Sequence, residues 1–279
     1  LQIPLTHQKI WGTDMRSYLD WIKLPSWRLP GISHVKRGDV VVFNLPVEHP
    51  DLIQTYQSVL PDLHPYPVDL RTNYIKRSVA LPGDVLEIRG GQIWINGVVS
   101  ENPIRLQEEY FVATQIPVHE VNVFRKNGVW EYSGFLDNRA EATSNQQDSG
   151  YYIYTTPEIA QRIAKLDFIK QVNPVRWSLG VKEIGIYPNS HLMAWNKDNF
   201  GSVKIPQQGM KIKLTPQNVA LYADAILSHE GNDGITRVGD QLMRFGKVLD
   251  TYTFNQDYYF MMGDNRHQSA DSRYWGFVP

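Results

Sequence analysis

Four side chains in this 279-residue sequence stand out by type and spacing: Lys76, whose neutral amine is a base, and Ser269, Asp271 and Arg273, which are spaced to form a polar cluster. Lys76 lies in the run Asn73-Tyr74-Ile75-Lys76-Arg77-Ser78-Val79-Ala80-Leu81-Pro82-Gly83-Asp84. Tyr74, Ile75, Val79 and Leu81 are strand formers, and Pro82-Gly83-Asp84 ends the strand in a turn. Side chains alternate faces along a strand, so Lys76 and Arg77 point opposite ways. If both faces of the sheet are covered, one of these cations faces inward or into a cleft. Lysine suits that place, because burial lowers its pKa and the neutral amine is a base. Arginine stays charged and needs a partner. Taken alone, a Lys-Arg pair is read more simply as two cations solvated on an edge strand.

The other three residues close the chain. Tyr258 to Met262 is a near-continuous apolar run that predicts a buried strand. Gly263-Asp264-Asn265 is a turn signal. Ser269, Asp271 and Arg273 are spaced by two, so in an extended segment they share a face. A hydroxyl, a carboxylate and a guanidinium together make a polar cluster, which is costly to bury unless fully paired. A salt-bridged surface loop is the alternative.

Tyr-Ile-Lys-Arg-x-Val-x-Leu-Pro-Gly-Asp, followed by Gly-Asp-Asn-x-x-x-Ser-x-Asp-Ser-Arg-x-Trp-Gly, resembles the bacterial type I signal peptidases, or leader peptidases. Lys36-Arg37-Gly38-Asp39-Val40-Val41-Val42-Phe43 resembles the strand that precedes the lysine strand in that family. The resemblance is dense over 36–100 and 252–279 and weak across much of 104–250. It implies a membrane-bound serine endopeptidase that removes Ala-x-Ala-type signal peptides from secreted preproteins, needs no cofactor or metal, and faces the periplasmic side of the bacterial cytoplasmic membrane. It further implies a serine–lysine dyad, a variant of nucleophile-plus-base catalysis. By motif position Lys76 is the general base, Ser269 orients its amine, and Arg77, Asp271 and Arg273 form the supporting network. Tyr74 and Ile75 line substrate pockets beside a peptide added as a strand.

The nucleophile is where the sequence departs from that family. Its Ser-Met-x-Pro-Thr box has no counterpart here: Asp14-Met15-Arg16-Ser17 lacks the serine before methionine, and Ser26-Trp27-Arg28-Leu29-Pro30 has the wrong spacing. The expectation is a fragment whose serine and membrane anchor lie upstream of Leu1, inactive by itself. A catalytically dead relative serving as an interaction subunit is the alternative function. An autoproteolytic repressor-like protein is opposed by the Gly263–Gly276 run. His267-Gln268 stands where Asp-Asn is common in the family, a loop position expected to matter little.

Composition sets the outer limits. Net charge is −1, which gives no basic field for nucleic acid. Cysteine is absent, which removes thiol catalysis, disulfides and thiolate metal sites. The eight histidines form no ligand pattern. No apolar run reaches the roughly 18 residues of a membrane span. Residues 1–35, rich in Trp, Tyr and Pro, fit either a membrane–water interface or an extended segment packed on a core.

The expected fold is mainly β: a coiled antiparallel β-sheet catalytic core (1–103 and 251–279) with an inserted α+β cap (104–250). The core reads as strands at 36–45 and 73–82 and a hairpin over 84–99 turning at Gly90-Gly91. A short helix is expected at Asp51–Leu60. In the cap, Val121–Phe124 and Val129–Tyr132 read as a hairpin around Asn127-Gly128. Tyr151–Tyr154 reads as a strand. Thr156-Pro157 and Thr215-Pro216 each start a helix. Gly91–Val98 and Asp240–Val248 read as two similar hairpins.

Overall fold

The structure is a computed structural model and describes residues 34–46, 73–136 and 149–279. The expected helix at Asp51–Leu60, the aromatic segment before His34 and most of the polar loop at 137–150 lie outside the described residues.

The described chain is built mainly from antiparallel strands. In order, the first are β1 (Val40–Asn44), β2 (Asn73–Ala80), β3 (Val85–Arg89), β4 (Gln92–Ile95), β5 (Val98–Val99) and β6 (Glu108–Thr114). A short helix α1 (Glu120–Val123) and a 3₁₀ turn (Arg125–Asn127) lead to β7 (Glu131–Tyr132) and β8 (Gly150–Thr155). Helix α2 (Pro157–Ile163) is followed by β9 (Ile169–Pro174), β10 (Phe200–Lys204) and β11 (Lys211–Lys213). Helix α3 (Pro216–Ser228) precedes β12 (Ile235–Val238), β13 (Gln241–Arg244), β14 (Lys247–Val248) and β15 (Thr251–Thr253). The chain closes with β16 (Phe260–Met262) and the one-turn helix α4 (Ser272–Trp275).

Contacts group the chain into two compact units. One comprises 1–82, 206–261 and 275–279; the other comprises 83–205 and 262–274. In the first, β2 is the middle strand of a sheet ordered β1-β2-β16, so the closing apolar run lies beside the lysine strand. The strand within that run is shorter than its apolar content suggests, because Tyr259 instead exchanges backbone hydrogen bonds with Val278 (2.8 and 3.0 Å). Helix α3 begins at Thr215, whose hydroxyl accepts the Asn218 N–H (3.2 Å), with proline in its first turn. It buries Val219, Tyr222, Ala223 and Ile226, and Tyr222 stacks on Phe277 at 5.7 Å.

The second unit holds two four-stranded sheets, β10-β3-β4-β5 and β7-β8-β6-β9. In the β3–β4 hairpin Leu86, Ile88, Ile93 and Ile95 are buried, as period-two alternation requires. The other sheet turns Tyr110, Val112, Tyr151 and Ile153 toward α1 and α2, where Phe124, Val129, Ala160 and Ile163 complete a core. Truncating Phe124, which is fully buried, costs about 3–5 kcal/mol by the usual cavity and transfer terms.

The expected hairpin at Asn127-Gly128 does not form. Val121–Phe124 is helical, and Gly128 ends the 3₁₀ turn in the left-handed region (φ +87°). Asn-Gly meets the geometric need of a helix stop as well as that of a hairpin. The helical outcome lets Val123 and Phe124 insert together into the core. The hairpins at β3–β5 and β12–β14 do resemble each other. Asn96-Gly97 and Phe245-Gly246 both have positive φ at two successive residues, as primed turns need.

Candidate active site

β2 carries the lysine. Its antiparallel register on β1 sets Val41 against Lys76 and Phe43 against Tyr74, while Val42 faces Ile75 and Val40 faces Arg77. Lys76 and Tyr74 therefore share one face, and Ile75 and Arg77 the other. The Lys76 Nζ lies 5.3 Å from the Tyr74 ring centroid, and that ring meets Trp275 edge-on at 5.0 Å. Burial raises the Tyr74 hydroxyl above its ordinary pKa. Arg77 donates to the Gly38 carbonyl (2.6 Å), which fixes the turn ahead of β1. Ile75 is 65% exposed beside exposed Val40 and Val42. The two residues expected to line substrate pockets thus present to opposite faces of the sheet.

The motif after β16 is organised by one ion pair. Arg273 donates twice to Asp271, Nε to Oδ1 (2.9 Å) and Nη2 to Oδ2 (2.7 Å), and both are buried. Asp271 also accepts the N–H of Gly263 (3.1 Å) and of Arg273 itself (3.1 Å). Arg273 reaches the carbonyls of Arg266 (2.5 Å) and Lys197 (3.3 Å). Burial alone would raise the Asp271 carboxyl, but the guanidinium and these N–H donors hold it below its ordinary value. The spacing of two does bring Asp271 and Arg273 together, though not by strand alternation. Arg273 sits in α4, and Asp271 lies just before that helix with its carboxylate turned back onto the helix residue. Ser269, 7% exposed, lies in the loop thus held.

The same loop contains residues that no pattern in the sequence marks. His267 accepts the Glu109 N–H at Nδ1 (3.1 Å), so its proton sits on Nε2 and is donated to Asp198 Oδ1 (3.0 Å). Both side chains are 2% exposed. Asp198 also accepts the Trp177 N–H (2.8 Å). Burial would raise Asp198, but His267 and Trp177 outweigh that and leave its carboxyl below the ordinary range. Position 267 is therefore a buried tie between the closing loop and the 104–250 region, not the incidental loop site expected from sequence. Arg266 is also buried, its Nε and Nη1 without hydrogen-bond partners. Burial and the neighbouring Arg273 cation push its pKa down to about 10, so it stays charged near neutrality. Sixty-nine residues separate His267 from Asp198, and neither position stands out alone.

Among the described residues no cluster of His, Asp and Glu is placed to hold a metal ion. No helix among them is long and apolar enough to cross a membrane.

Comparison with known proteins agrees with the motif reading. The family model described as signal peptidase, peptidase S26, matches residues 11–150 and 202–279. Signal peptidase I of Buchnera aphidicola subsp. Schizaphis graminum is 48% identical over 48 residues, 17% of this chain and 15% of that protein. Signal peptidase I of Aquifex aeolicus is 71% identical over 24 residues, 9% of each chain. Signal peptidase I of Buchnera aphidicola subsp. Acyrthosiphon pisum is 86% identical over 21 residues, 8% of this chain and 7% of that one. These matches span less than a sixth of the relatives' own length. The family model, in contrast, covers most of the sequence, and the chain belongs to the signal peptidases of peptidase family S26.

Proposed function

We propose that the complete protein is an endopeptidase that removes N-terminal signal peptides from secreted preproteins through a serine–lysine dyad. Its catalytic core is formed by 1–103 with 251–279, held by a membrane anchor outside this chain at the outer face of the bacterial cytoplasmic membrane. Lys76 is the base. It takes the proton of the serine hydroxyl as that oxygen attacks the scissile carbonyl, returns it to the leaving amine, and then activates the deacylating water. A lysine is neutral near pH 8 only if its pKa falls by roughly two units from about 10.4. Apolar surroundings do this. Ser269 orients the amine, and Asp271, Arg273 and Arg77 hold the frame.

The observation that carries this reading is the charge-compensated loop from Gly263 to Arg273, which keeps Ser269 buried and fixes its backbone by the Asp271–Arg273 pair. Such a frame gives a single hydroxyl the fixed position that orienting a flexible lysine requires. No serine of this sequence sits in a Ser-Met-x-Pro-Thr box, so the chain by itself is expected not to hydrolyse peptide bonds.

The test uses the complete protein and a preprotein with an Ala-x-Ala cleavage site. Lys76→Met is expected to lower kcat by about 10²–10⁴-fold or more while leaving Tm near that of the parent. A variant that still cleaves at the parental rate removes Lys76 from the role of base. A complete protein that binds preprotein and never cleaves it establishes the interaction-subunit alternative.

A further inference from the structure

The sheet β7-β8-β6-β9 has a second face that its core does not use. In register across three strands, Glu131 of β7 and Glu109 of β6 flank Tyr154 of β8. Tyr152, two residues back, shares that face and meets Phe111 at 5.1 Å. The two carboxylate-bearing residues are thus two strand spacings apart, about 10 Å at Cα, with an aromatic floor between them. A pocket of about 500 Å³ opens over this floor. Trp130, 72% exposed, and Gln268 form part of its wall.

We propose that this pocket is a slot for the cationic side chain, lysine or arginine, of an extended polypeptide. Aromatic faces and carboxylates both attract a cation, by the ring quadrupole and by charge. The local field agrees. Burial, the Glu109 hydrogen bond (2.9 Å) and the Glu131 charge raise the pKa of the Tyr154 hydroxyl and outweigh the opposing effect of the Gln268 side chain. Arg125 is the one cation in the lining, against two carboxylates, so the slot is net anionic. Gln268 lines the same pocket as Tyr154, and the next residue in the chain is Ser269. That continuity ties the slot to the polypeptide handled at the Ser269 loop. The proposal rests on the peptidase reading and deepens it: the slot selects a basic residue of the preprotein.

The probes are two capped tetrapeptides, acetyl-Ala-Lys-Ala-Gly-amide and its norleucine analogue. They are titrated into the 279-residue chain with indole-¹⁵N-labelled tryptophan. The lysine peptide is expected to move the Trp130 signal with a millimolar Kd, and the norleucine peptide to leave it in place. Glu131→Gln, at an exposed position, is expected to weaken binding about threefold to fivefold. Trp130→Ala, also exposed, removes the reporter signal and is read by calorimetry with a comparable loss. Raising salt from about 0.05 to 0.5 M weakens binding further. Equal titration by both peptides, no titration by either, or displacement of the lysine peptide by phosphatidylethanolamine vesicles or a neutral oligosaccharide overturns the proposal. Cleavage does not enter this readout. The slot can fail while Lys76→Met still abolishes activity, and the peptidase reading can fail while the slot binds its probe.

Discussion

Each compact unit buries a carboxylate in a dense hydrogen-bonded knot, and the two are compensated by different means. In one, Asp271 faces a guanidinium through two charge-assisted bonds. In the other, Glu230 accepts from neutral donors: the hydroxyls of Tyr252 (2.9 Å) and Tyr258 (2.7 Å) and the Asn255 N–H (2.6 Å). Tyr252 in turn accepts from Asn232 (2.5 Å). The neutral knot spreads one charge over several dipoles and can lose one donor with the rest intact. The ionic knot is all-or-none, because removing either partner leaves the other as an unpaired buried charge. Asp271–Arg273 therefore fixes a geometry more than it adds stability, which suits a loop proposed to hold Ser269 in place.

The comparison is broken most sharply at Arg273. Arg273→Leu is expected to cost about 3–5 kcal/mol in urea unfolding, since Asp271 then stays buried without its partner. Asp271→Leu combined with Arg273→Leu is expected to cost distinctly less than the two single losses added. Strict additivity in that cycle contradicts direct coupling.

Acid separates the knots next. Asp271 and Asp198 are both held below the ordinary carboxylate range, by Arg273 and by His267 with Trp177. A depressed folded-state pKa contributes stability that is fully present above the unfolded value, about 3.9 for aspartate, and is lost as pH falls through the folded value. The 83–205 and 262–274 unit is thus expected to lose protection first below about pH 4, as read by amide exchange in a pH series. Protection in α3 and β15 that collapses before that of β6 and β8 would reverse the assignment.

A smaller effect is expected at Glu230. Glu230→Gln keeps the shape but exchanges one acceptor for an NH₂ that faces a donor, costing about 1–3 kcal/mol. Tyr258→Phe, which removes one hydroxyl and leaves the other donors in place, is expected to cost about 1 kcal/mol. If Glu230→Gln destabilises as much as Arg273→Leu, the distinction between the knots fails.

The Glu230 knot could not be assembled from the sequence and the Asp271 knot only in part, and for the long-range partners the reason is reach. Lys76 and Arg77 pointing apart, the helix starts at Thr156 and Thr215, and the hairpin at Gly90-Gly91 all follow from rules spanning a few residues, and all appear as expected. The Asp271–Arg273 pair was legible as a pair, but the conformation joining them was not, because a spacing of two suits a strand face as well as the first turn of a helix. Glu230 to Tyr252 and His267 to Asp198 are partners across 22 and 69 residues, which no local period encodes. The open face carrying Glu109, Tyr154 and Glu131 was hidden for the same reason, since Glu131 lies on a two-residue strand and its neighbours come from β6 and β8.

The smallest effect tests the one local signal that pointed the wrong way. In a two-residue primed hairpin turn both central residues need positive φ. Here only Gly128 has it, while Asn127 belongs to the 3₁₀ turn and donates its Nδ2–H to the Val123 carbonyl (2.7 Å). A Cβ at 128 would meet only Ile159 Cδ1, at an ordinary 3.5 Å, so Gly128→Ala is resisted by the backbone rather than by crowding. The cost is expected to be about 1–2 kcal/mol, the penalty of the left-handed conformation for an L-residue. Gly128→Asn is expected to recover part of it, because asparagine visits that region more readily. Asn127→Ala loses a single part-buried hydrogen bond and is expected to cost about 0.5–1.5 kcal/mol, with no relief from glycine. A helix stop predicts that Asn127→Gly destabilises like Asn127→Ala. A hairpin turn predicts that it is tolerated, and urea midpoints of these two variants decide between them.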